Sequence, residues 1–224
     1  MKNLQIHIEV CPELYLKNPD SSELGQKIVS NSIGMINKLG FESFTFKKLG
    51  LKIASPESSI YRYFENKHTL LIYLTSWYWS WIEYQLVFAS ANIDSPVEQL
   101  KRSINILTQP IEVDNSFSHI NEVLLHDIII TESAKTYHTK AVDNENEKGY
   151  FKAYKQVVQR ISDIVLEINP TFEFPHMLIS TVIEGAHQQR YFAEHLPSLT
   201  DLKKGKDSIS EFYTQIVFKM IKRS

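Results

Sequence analysis

A single cysteine, Cys11, stands in 224 residues, which excludes an internal disulfide framework and a cysteine-based zinc site and fits a reducing cytoplasm. Glycine is also scarce: the chain has 7, about half the usual share of ~7%. No Asn-Gly or Asp-Gly pair marks a hairpin, so both shortages favour helices over strands. The longest greasy run, "LLIYLTSWYWSWI", falls short of the ~20 residues a bilayer span needs. The head, "MKNLQIHIEV", carries charge where a signal peptide would place its apolar core, so no export signal and no membrane partner are expected. There is no Gly-x-Ser-x-Gly elbow and no phosphate-cradling glycine loop. The expectation is therefore no catalytic residue, no cofactor and no enzyme activity.

Hydrophobic residues at 43% and charged residues at 22% are near the globular average and give the chain material for a core. Apolar periodicity and proline punctuation predict about nine helices, near 23–39, 46–53, 56–63, 67–91, 95–108, 118–132, 136–168, 175–195 and 201–222. The fold class is all-α. Only the extension before residue 23 contains strand-like alternation, over 3–10, which either lies across the surface or pairs with a second copy. The net charge of −2 is uneven. Residues 24–71 hold seven Lys or Arg against three Glu, a surplus of +4, which suggests a polyanionic partner.

That basic segment reads as three short helices. The first ends at Gly40, Thr45 can cap the second, and Ser55 with Pro56 can start the third. Ile60 and Phe64 face inward, leaving Ser58, Ser59, Tyr61, Arg62 and Tyr63 wholly or partly outward. Two short helices joined by a tight turn are the layout of a helix-turn-helix. The stretch "GFESFTFKKLGLKIASPESSIYRYFENKHTLL", Gly40 to Leu71, resembles the DNA-binding signature of the tetracycline-repressor family of bacterial transcription regulators.

The resemblance implies a helix-turn-helix DNA-binding domain over 23–68, with its motif at about 45–64, and a larger helical effector-binding and dimerisation domain over 69–224. Thr45 and Lys67 would grip phosphate, and Tyr61 the backbone and a thymine methyl. Lys47, Lys48, Ser55, Glu57, Ser58, Ser59, Arg62 and Tyr63 complete the expected DNA-binding set. Glu57 and the Ala54–Pro56 turn depart from the family pattern.

The fourth helix carries Tyr73, Trp77, Trp81, Tyr84 and Phe88 on one face, which reads as core packing or as the wall of a ligand cavity. Trp77, Trp81, Tyr84, His126 and Tyr154 are the candidate effector contacts, and the aromatic richness points to an apolar or aromatic small molecule. Glu184 and His187 have the Glu-x-x-His spacing of di-iron bundles, and His119 and Glu122 also lie three apart. The second Glu-x-x-His, Glu65 to His68, falls in the basic segment, so no metal is expected and Glu184–His187 reads as a hydrogen-bonding pair. In the last two helices, Leu178, Thr181, Val182, Gly185, Phe212 and Ile216 are the candidate homodimer contacts. The combined expectation is a cytoplasmic, ligand-responsive repressor that binds a palindromic double-stranded operator as a homodimer. The rival is an enzyme or carrier built on the C-terminal helices, with the N-terminal helices only structural.

Overall fold

The computed structural model of the chain describes residues 8–114, 116–202 and 207–222. Regular structure among them is entirely helical: eleven α-helices, three short 3-10 turns and no strand. The strand-like head therefore lies mostly outside the described residues, and Ile8 to Val10 form no strand. Ile8 is buried, and the Glu9 carbonyl accepts a hydrogen bond from Ser80 Oγ at 2.8 Å.

The helices are α1 (Glu23–Leu39), α2 (Phe46–Lys52), α3 (Glu57–Ile60), α4 (Lys67–Ser90), α5 (Pro96–Thr108), α6 (Glu122–Thr131), α7 (Ser133–Tyr137), α8 (Val142–Glu147), α9 (Lys152–Ile168), α10 (Pro175–His195) and α11 (Ser208–Met220). Local chemistry explains most starts. Ser22, Thr45, Ser95 and Asn121 each accept a backbone N–H of the first turn they precede, which is the role of a short polar N-cap.

The helices expected near 118–132 and 201–222 begin later, at Glu122 and Ser208, and two further expectations need correction. The stretch expected as one helix over 136–168 is three, α7, α8 and α9. The chain turns left-handed at Gly149, with φ +80, and the Tyr150 N–H closes back onto the Glu145 carbonyl at 3.1 Å. Glycine adopts that conformation without a Cβ penalty and so ends α8. The other concerns α3, which is a single turn with Pro56 rather than Ser55 at its N-cap and no side-chain cap bond.

The chain forms two compact units, each built from two stretches. Residues 1–80 and 111–153 make the first, and 81–110 and 154–224 the second. In the first unit α1 packs on α6, on α2 and on the Pro19–Ser21 turn. Its core holds Ile28, Ile33, Ile36, Leu49, Ile60, Phe64, Leu74, Trp77 and Leu125, all essentially removed from water. Each such side chain contributes ~1.5–3 kcal/mol of burial. In the second unit α5, α10 and α11 pack against one another around Ile104, Ile179, Val182, Ile183 and Val217.

Candidate functional site

In the first unit a cleft of about 550 Å³ opens between the Pro19–Ser21 turn, the start of α1 and the loop before α6. Asn18, Asp20, Ser21 and Gln26 line one side, and Ser116, Ser118 and His119 another, with Ile8, Trp77 and Phe117 as the apolar part. The cleft's centre is a pair from distant sequence: His119 Nε2 lies 3.0 Å from Asp20 Oδ1, and both side chains are about four-fifths buried. The backbone sets Asp20 in place, because Asn18 Oδ1 accepts its N–H at 2.9 Å and the Gln26 amide donates to its carbonyl at 3.3 Å. Trp77 meets Phe117 edge to face, with centroids 5.4 Å apart.

The loop carrying His119 is fastened from behind by Glu122. Its carboxylate is fully buried and accepts the Asp114 N–H at 3.1 Å. Burial pushes that carboxyl above its ordinary range, and Oε1 has no hydrogen-bond partner. In sequence His119 and Glu122 stand out only for metal-like spacing, and Asp20 does not stand out at all. No local signal joins positions 20 and 119.

The expected effector residues are divided between the units. Trp77 and His126 belong to the first, and Trp81, Tyr84 and Tyr154 to the second. Of the five only Trp77 lines the cleft. His126 is buried with its Nδ1 2.8 Å from the Tyr78 hydroxyl. Trp81 is buried, Tyr84 is half-buried, and the Tyr154 hydroxyl donates to Glu184 Oε1 at 2.9 Å. Glu184 and His187, expected as a hydrogen-bonding pair, differ in burial. Glu184 is exposed and bonded to Tyr154, whereas His187 is buried, and burial followed by the Arg190 charge pulls it down to about 4. Among the described residues no group of three or more His, Cys, Asp or Glu is placed to hold a metal ion.

The residues expected to grip DNA have other tasks or simply face water. Thr45 caps α2 through the Lys48 N–H, and the Lys48 ammonium donates to the Ser43 carbonyl at 2.6 Å. Lys47, Ser58 and Arg62 are exposed, while Ser55, Glu57 and Ser59 are half-buried. The Tyr61 hydroxyl donates to Glu57 at 3.3 Å, and its ring packs on Phe46. Tyr63, expected wholly or partly outward, is only 3% exposed, with its hydroxyl 2.8 Å from Ser22 Oγ. Lys67 turns back onto the protein, donating to the carbonyls of Phe41, Glu42 and Phe44 at 3.0, 3.3 and 3.4 Å.

Of the expected dimer contacts, Leu178 and Val182 are buried inside the second unit itself. Thr181 is exposed, Ile216 is half-buried, and Gly185 sits against the Tyr213 ring. Phe212 is 53% exposed, as are Phe174, Met177 and Met220 to similar degrees, so the α10–α11 pair keeps large apolar side chains in water.

No described helix is long and apolar enough to cross a membrane. No protein-family model matches the chain, and no curated protein is significantly similar to it in sequence. A solved structure described as the crystal structure of superantigen PfiT superposes with a TM-score of 0.58 at 13% identity, covering 91% of this chain and 97% of that one. This overturns the expected membership of the tetracycline-repressor family, and with it the operator-binding repressor and the DNA-binding roles assigned to residues 45–67. At this identity the likeness concerns the fold alone: the chain shares an all-helical architecture with superantigen PfiT over nearly its whole length.

Proposed function

We propose that this protein acts by binding rather than by catalysis, as a cytoplasmic homodimer that takes a small molecule. The observation that carries the reading is the outer surface of α10 and α11. Phe174, Met177, Phe212 and Met220 are each more than half exposed, on helices whose other faces are already packed. Large apolar side chains left in water on or beside one helix pair are material for an association surface, and an isologous contact between two copies would cover them without a second gene product. The polar cleft of the first unit supports the small-molecule part, since its volume lies within the ~300–1,000 Å³ range of ligand pockets.

Light scattering on the full chain tests the association. A molar mass of twice 26.0 kDa is expected at micromolar concentration, reduced to that of the monomer by Phe212→Glu. A monomeric wild-type protein would end this reading.

A further inference from the structure

We infer that the cleft between the Pro19–Ser21 turn and the loop before α6 binds a neutral, multiply hydroxylated small molecule, such as a monosaccharide, a disaccharide or a cyclitol. The inference deepens the proposed binding role by giving it a place and a ligand chemistry. Three features of the cleft select this class.

Charge comes first. Among the described residues no Lys or Arg lines the cleft, so none of them offers a phosphate or carboxylate ligand a permanent counter-charge. Nor does the Asp20 carboxylate wait for a ligand cation, because His119 Nε2 already lies 3.0 Å from it. A neutral ligand leaves that pair intact.

The second feature is the kind of hydrogen-bonding group presented. The Ser116 and Ser118 hydroxyls both donate and accept, while Ser21 Oγ, which donates to the Asn18 carbonyl at 2.6 Å, and the Gln26 amide, which donates to the Asp20 carbonyl, each keep an acceptor. The His119 ring presents Nε2 to Asp20 and carries Nδ1 as a second polar atom. A ligand hydroxyl also donates and accepts at one atom, so a ring bearing several of them matches this mixed wall. A flat apolar ligand would strand these groups unpaired, at about 1–3 kcal/mol for each one buried.

Preorganisation is the third. Asp20 is held by Asn18, Gln26 and His119 together, so the wall presents a fixed arrangement before the ligand arrives. Immobile partners reduce the ordering cost that otherwise cancels weak polar contacts. Trp77 and Phe117, both buried and packed edge to face, form a rigid apolar floor beneath the polar wall.

Isotope-labelled full-length protein titrated with D-glucose, N-acetylglucosamine and myo-inositol tests the inference, each ligand taken to about 50 mM so that millimolar affinities are captured. The readouts are the His119 ring and Trp77 indole NMR signals. A saturable shift is expected with at least one of the three. His119→Gln should weaken it about tenfold, as expected for loss of one hydrogen-bonding group worth ~1.4 kcal/mol. Ser118→Trp, at an exposed position on the rim, should abolish it by filling the cleft, and an unchanged urea midpoint will show that this variant is folded. Absence of any saturable shift overturns the inference, and so does a shift that survives Ser118→Trp. Light scattering on the same samples separates the two claims. A dimer blind to all three compounds sinks only the ligand class, and a monomer that binds one of them sinks only the dimer.

Discussion

Lys67 shows how a side chain's role depends on where its head group ends up. From sequence it is a cation at the start of a helix, open to an anion. In the fold its ammonium satisfies three carbonyls of the Phe41–Phe44 turn and lies 4.6 Å from the centre of the Phe41 ring. Lys67→Met should therefore destabilise the first unit by about 1–2 kcal/mol, since hydrogen bonds from a charged donor exceed neutral ones and this site is only part-buried. Urea unfolding measures it, and a change of a few tenths would show that the carbonyls are equally well served by water. His187 makes a second prediction at this scale. Its folded value of about 4 lies below the unfolded 6.5, so between these pH values the unfolded chain holds the extra proton. Stability should fall as pH drops from about 6.5 to about 4 and then level off, by on the order of 3 kcal/mol in total. In His187→Leu this part of the pH dependence should vanish; if the wild-type profile persists, another group is responsible.

At the scale of elements, the helix starts were legible because an N-cap is a local event. Ser22, Thr45 and Ser95 sit at the starts expected from periodicity and each makes its cap bond, whereas the helix expected from 118 begins only after its cap Asn121. Breaks inside a long polar stretch were less visible. Apolar positions around α7, α8 and α9 keep helical spacing, and only Gly149 signals the stop. Packing between helices was hinted at rather than shown. Gly185 is an expected homodimer contact, but a Cβ there would lie 2.1 Å from the Tyr213 hydroxyl of the same chain. That contact joins α10 to α11. Gly185→Ala should cost about 1–3 kcal/mol through overpacking and lower the melting temperature by several degrees. A neutral result would mean that the Tyr213 ring swings aside freely.

For the whole molecule, the association claim has a concentration signature. If α10 and α11 cover their exposed apolar side chains with a second copy, dilution should lower the melting temperature, because the dimer gains stability from protomer concentration. Phe212→Glu should remove that dependence while leaving the circular dichroism spectrum of a helical protein. A melting temperature independent of concentration over two decades would argue that the exposed row is only surface.

The amino-acid sequence by itself determined the fold class: few glycines, punctuating prolines and apolar residues at helical spacing permit helices and little else. It also determined where most helices begin, through caps that act over three or four residues. Tertiary structure alone decided which side chains meet. Asp20 and His119 are 99 positions apart, and only the packing of α1 beside α6 brings their segments to one cleft. It also decided that Tyr63 is buried and Lys67 turned inward, which a periodicity count cannot see, because it ranks residues by spacing and not by the partner their polar atoms find. A local pattern of thirty residues could thus look like a DNA reader, while the backbone over 91% of the chain shares its fold, and the fold alone, with superantigen PfiT. Short-range signals fix the helices, and long-range packing fixes what their surfaces are for.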